Sequence, residues 1–148
     1  METVERQLTL PTSLDEAWEL VTRPEDLAGW LGREVVLDPT PGAAGLVVDH
    51  DGTRRHLVIE QVDAAGDDAR RLAWHWWVEG DDDVVRSRVE VTLDRALEGT
   101  VLTVTEELEV PATAQASARS AATASSAAWS HRLLHLEVHL LLAAAIRG

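Results

Sequence analysis

Glu106 falls in phase with Leu102, Val104 and Leu108 along an alternating stretch, so the four share one face of a strand. A carboxylate on an apolar face pairs with Arg, faces a wet cavity, or keeps a proton. That makes Glu106 the strongest polar candidate for a site. The plainer alternative is a solvated position at the end of the strand. Trp74 and Trp76 share a strand face with Leu72 and Val78 in the same way. Trp129 heads an apolar set at helical spacing with Leu133, Leu136 and Leu140. The chain has 6 Trp but no Phe and no Tyr, so every large aromatic surface in it is an indole. An indole carries an N–H that wants a partner when buried, which suits a pocket wall better than a tight core. The alternative is that the indoles simply fill the interior.

Other chemistry has less support. His131, His135 and His139 lie one helical turn apart, a spacing from which two His can bind zinc. No acidic residue completes that spacing, because Glu137 points elsewhere, so the reading is a solvated face and no metal site. His50 and His56 flank a turn and offer no ligand geometry. Arg54 and Arg55, Arg70 and Arg71, and Arg86 with Arg88 read as outer-face charges balancing acidic turns. No Gly-rich phosphate loop and no Ser–His–Asp or Cys–His arrangement is visible. No catalytic residue and no cofactor is therefore assigned.

Composition narrows the classes further. The chain has 148 residues, which suits one domain spanning 1–148. Its net charge of −13 argues against nucleic acid and against anionic membranes, both of which ask for Lys and Arg. All 13 basic residues are Arg, a bias attributed to genome composition. With no Cys, disulfides and thiolate metal sites are excluded. The apolar run Leu133 to Ile146 is interrupted by His135, Glu137 and His139 and is too short to span a membrane. The start, Met1 to Arg6, is acidic and polar, with no visible signal peptide. A cytoplasmic protein is the expectation.

The elements that must position these residues follow in order. Thr3 to Leu10 reads as a strand ended by Pro11. Ser13 caps a helix from Leu14 to Thr22, with Glu16 at capping-box spacing. Pro24 opens a second short helix, Glu25 to Trp30, closed by Gly32. Strands follow at Glu34 to Leu37, Leu46 to His50 and Thr53 to Val62, the last two joined by a two-residue hairpin at Asp51-Gly52. Further strands are Arg71 to Glu79, Val84 to Leu93 and Thr100 to Val110. The Gly80 and Asp81 to Asp83 run marks an exposed turn. From about Ala116 to Arg147 the chain is rich in Ala and Leu and reads as one long helix. A second apolar set on it, Leu134, Val138, Leu141 and Leu142, turns away from Trp129. If nothing in the chain covers that set, a homodimer through this helix is expected.

This order and several local strings resemble the helix-grip, START-like superfamily, also called birch-pollen-allergen-like or SRPBCC. Within it the chain is similar to the bacterial branch related to the activator of the heat-shock-protein ATPase. The strings are Leu8 to Ser13 followed by Glu16-Ala17-Trp18, then Pro24 to Gly32, Arg71 to Trp76, Ser87 to Leu93, Gly99 to Val104, and Trp129 with its leucines. Ala128 departs from the Gly that the family often has there, and stays small. The resemblance implies an α+β fold, a curved antiparallel sheet gripping the C-terminal helix, with a cavity between them. On that basis Trp30, Trp74, Trp76, Val89, Val91, Leu102, Val104, Glu106, Trp129 and Leu133 are the expected ligand-binding residues. The ligand would be a small apolar or aromatic molecule. A protein-binding, co-chaperone-like module is the rival, and a cyclase- or hydrolase-like enzyme the third reading. The Tyr that often donates a proton in cyclase relatives is missing. The fold alone does not choose among them.

Overall fold

The computed structural model describes residues 2–80, 86–109 and 115–147. The first strand, β1 (Glu2–Leu10), leads into α1 (Leu14–Thr22) and α2 (Pro24–Leu27). A meander follows: β2 (Glu34–Val36), β3 (Ala44–Val48), β4 (Arg54–Asp63), β5 (Ala69–Val78), β6 (Arg86–Ala96) and β7 (Gly99–Glu109). The long final helix is α3 (Gln115–Arg147). Every pairing is antiparallel, in the order β1-β7-β6-β5-β4-β3-β2. This is the helix-grip arrangement, a curved open sheet with a long C-terminal helix and two short helices after the first strand. The Asp81 to Asp83 turn and the start expected for β6 at Val84 lie outside the described residues.

Local chemistry accounts for the element ends. The backbone N–H of Glu16 donates to Ser13 Oγ at 3.2 Å, satisfying one of the free donors at the start of α1. Pro24 opens α2, where its missing N–H costs nothing. The link between β3 and β4 differs from the two-residue hairpin expected. It spans residues 49–53, because Asp51 accepts the Thr53 N–H at 2.9 Å and Gly52 takes φ +95°. That side-chain bond competes with the ladder and widens the turn. The Asp49 N–H still donates to the Thr53 carbonyl at 2.8 Å, and its carboxylate turns to Arg55 and Arg132.

Register then aligns the inner face. One row across the sheet reads Ile59, Trp74, Val89, Glu106 and Val4. The next reads Leu57, Trp76, Ser87 and Leu108. Trp129, Leu133 and Leu136 of α3 are buried in the same core, with Leu140 partly so. At roughly 25 cal/mol per Å² of apolar surface removed from water, this shared burial dominates what holds α3 in the sheet. Arg6 of β1 adds a polar clamp, donating to Ser130 Oγ at 3.1 Å and to Ser126 Oγ.

Candidate functional site

Glu106 is 3% exposed, and three donors converge on it. Trp76 Nε1 donates to Oε2 at 2.7 Å, Trp129 Nε1 to Oε1 at 3.0 Å, and Ser125 Oγ also to Oε1. A carboxylate only accepts, so this set of donors fixes its orientation with no cation in contact among the described residues. The sequence supports the geometry locally. Ser87 lies beside Trp76 in the register, and its small side chain leaves the indole room to reach across β6 toward β7. Trp76 and Trp129 stack at 5.8 Å and 23°, while Trp74 meets Trp76 edge-on at 5.7 Å.

A second polar layer lies over these indoles. The Arg132 guanidinium sits 5.1 Å from the Trp76 ring centre and 4.7 Å from that of Trp129. Arg55 lies 4.9 Å from Trp76. Both reach Asp49, Arg55 through Nε at 2.9 Å and Arg132 through Nη2 at 3.2 Å. Arg132 Nε also donates to the Leu31 carbonyl at 3.1 Å. Glycine permits that last contact: a Cβ on Gly32 would stand 2.5 Å from the Val48 carbonyl oxygen, so only Gly lets the corner after α2 close on β3. Burial pushes the Arg132 pKa down, Asp49 pulls it back up, the neighbouring Arg55 charge lowers it again, and the Glu106 charge raises it.

These groups border a recess of about 240 Å³ between the sheet and α3. Arg55, Trp76, Ser87, Glu106, Ser125 and Arg132 line it together with Val78, Leu108, Ala124 and Ala128. Of the residues singled out in the sequence, Trp76 and Glu106 lie at this recess, and Trp129 is bonded to Glu106 behind it. Trp74, Val89, Val91, Leu102, Val104 and Leu133 are buried in the hydrophobic core. Trp30 is also in the core, and its Nε1 donates to the Leu20 carbonyl at 3.0 Å. Trp74 Nε1 is buried with no partner among the described residues. His75 and Trp77 are on the other face, His75 against Glu60 at 2.7 Å and Trp77 beside His56.

Sequence reasoning missed Arg132, Asp49, Ser125 and the inward placement of Arg55. Arg132 had a signal, since it follows Trp129 by three residues and falls on the same helix stripe. Arg55 is in strand phase with Leu57 and Ile59, both buried. The outer-face expectation for it is therefore corrected, while Arg54 does pair outside, with Glu79 at 3.0 Å. The histidines also regroup. His50 stacks on His135 at 4.5 Å, and His131 meets His135 edge-on at 4.5 Å, while His139 lies by Gly29. Among the described residues, no group of three or more His, Cys, Asp or Glu has the geometry to hold a metal ion. No described helix is long and apolar enough to cross a membrane.

Known proteins agree with this architecture. DynU16, a protein in the dynemicin biosynthetic locus, is 26% identical with a TM-score of 0.75; the match covers 95% of this chain and 47% of that one. This chain thus spans about half the length of DynU16. Protein MLL2253 from Mesorhizobium loti is 21% identical, with a TM-score of 0.77 over 95% of this chain and 96% of its own. The Aha1 dimer from Colwellia psychrerythraea is 12% identical, with a TM-score of 0.70 over 95% and 96% of the two chains. No protein of curated function matches the sequence. Residues 11–140 match the model of the family described as activator of Hsp90 ATPase homolog 1-like protein, and the chain belongs to that family.

Proposed function

We propose that this domain binds a small molecule in the recess between β5–β7 and α3. The observation that carries the reading is Glu106. A largely apolar sheet face holds a buried carboxylate, bonded to two indoles and a serine, at the wall of a recess of about 240 Å³. Concave, mostly apolar sites with a few fixed polar groups are the usual form of small-molecule sites. An engineered dry cavity of about 150 Å³ holds benzene, so a one- or two-ring molecule is the right scale. The likeness to a protein of a biosynthetic locus supports the same reading. The test is native mass spectrometry of protein from its own host, followed by titration with aromatic probes read by indole emission. Saturable quenching is expected in the wild type and its loss in Trp76→Phe, which removes the bond to Glu106. A broad panel with no quenching counts against the reading.

Self-association is a second reading, favoured by a different observation. Leu134, Val138, Leu141 and Leu142 are 55%, 46%, 65% and 60% exposed on α3. No part of the described chain covers them. The similar Colwellia psychrerythraea protein is a dimer.

A further inference from the structure

The geometry points to an acid as the ligand: a small monoanion, with its carboxylate on Arg55 and Arg132 and its apolar body against Val78, Leu108, Ala124 and Ala128. This rests on the recess being the binding site, and it adds the chemical class.

Asp49 is one carboxylate shared by two guanidiniums. By contact, Asp49 therefore matches only one of the two positive charges at that end of the recess. Glu106 offsets the other through space and not by contact, because the groups bonded to it among the described residues are two indoles and a serine. Arg132 is only 4% exposed, and a buried cation that shares its one contacting counter-ion with Arg55 gains from a further anionic oxygen in contact.

Donor capacity agrees. A guanidinium carries five N–H bonds. Arg55 places only Nε, on Asp49, and Arg132 places Nε on Leu31 and Nη2 on Asp49. Both Nη atoms of Arg55 and Nη1 of Arg132 have no partner among the described residues. The Ser87 hydroxyl, 5% exposed, also lines the recess without a bonded partner among them. These free donors suit the planar two-oxygen geometry of a carboxylate better than a point acceptor. The rings beneath hold the guanidiniums in place, so little freedom is lost when they bind.

The test compares acids with their neutral amides by isothermal calorimetry: phenylacetate with phenylacetamide, and naphthoate with naphthamide. In the wild type each acid should bind about tenfold or more tighter than its amide, the scale of a charged hydrogen bond. Arg55→Gln, at a side chain 24% exposed, should shrink that ratio severalfold, read within the variant as acid against amide. A melting curve confirms that the variant folds, and the wild-type ratio needs no variant at all. Equal affinities, or tighter amides, overturn the acid and leave the recess standing. If no acid binds, the acid is overturned, and a broad neutral panel decides whether the recess reading falls with it.

Discussion

Trp30 and Trp76 are both sealed from solvent, at 0% and 1% exposure, yet their surroundings differ. Trp30 sits among Leu27, Leu31 and other core side chains, and its N–H is spent on a backbone carbonyl. Trp76 gives its N–H to a buried carboxylate, lies under two guanidiniums and borders a recess. Burial is the same, so burial does not separate the two indoles. The partner of the N–H and the charges over the ring do.

The largest effect tests the Trp30 side of this contrast. Trp30→Ala should cost about 3–5 kcal/mol, because a filled site cannot collapse around the lost ring. Its melting temperature should fall steeply, and no probe for the recess should restore it. A small loss would mean that the core around Trp30 is looser than its contacts imply.

Glu106→Gln tests the other side with a smaller effect. Glutamine keeps the shape but brings an NH₂ against groups that themselves donate. At least one indole N–H or the Ser125 hydroxyl then loses its acceptor, at about 1–3 kcal/mol. Thermal melts measure the loss, and probe titration should show binding falling further than stability. A variant with unchanged melting and unchanged binding would make Glu106 incidental.

Most of the frame was legible because it rests on short-range chemistry. The Ser13 cap, Pro24, and the alternation of β5 that sends Trp74 and Trp76 inward and His75 and Trp77 outward are all local signals. Glu106 was legible for the same reason, since a carboxylate breaking an apolar phase is visible in a handful of residues. The second polar layer was harder. Arg132 and Arg55 carried the right phases, but a guanidinium beside a turn reads as a surface charge until its counter-ion is known. That counter-ion, Asp49, depends on a turn that widened around Asp51. The stacking of His50 on His135 joins residues far apart in the chain, which no local pattern reports.

That histidine group gives a smaller and pH-dependent effect. His135 is held below the ordinary imidazole range, chiefly by burial and then by the charges of His50 and His131. The unfolded chain therefore takes up a proton that the folded one resists. Stability from this source is full above about pH 6.5, the unfolded value, and is lost as pH falls through it. Melting temperature should drop on acidification from about pH 7.5 to about 5.5, and His135→Gln should flatten the drop. Glu79, held below its usual range first by its His56 hydrogen bond, gives up its share nearer the carboxylate range, about pH 4. The two windows are thus separable. An identical slope in wild type and His135→Gln would show that the stacked rings exert no electrostatic cost on folding.

The smallest effect on folding comes from a third environment on the same helix. Leu134, Val138 and Leu141 repeat at helical spacing like Trp129, Leu133 and Leu136, yet they face outward and stay exposed. Changing Leu134 and Leu141 to Gln removes no buried contact within the chain, so monomer stability should move by no more than about 0.5 kcal/mol per site. Association is where the change should register. If the stripe meets a second copy, sedimentation velocity across a concentration series should show wild-type dimer and a monomeric double variant, with the acid-to-amide ratio unchanged because the recess lies on another face of α3. A wild type that stays monomeric at the highest concentration, or a dimer that survives both substitutions, would remove self-association through this stripe. The exposed leucines would then need a different partner, and the contrast between the two buried indoles would stand without them.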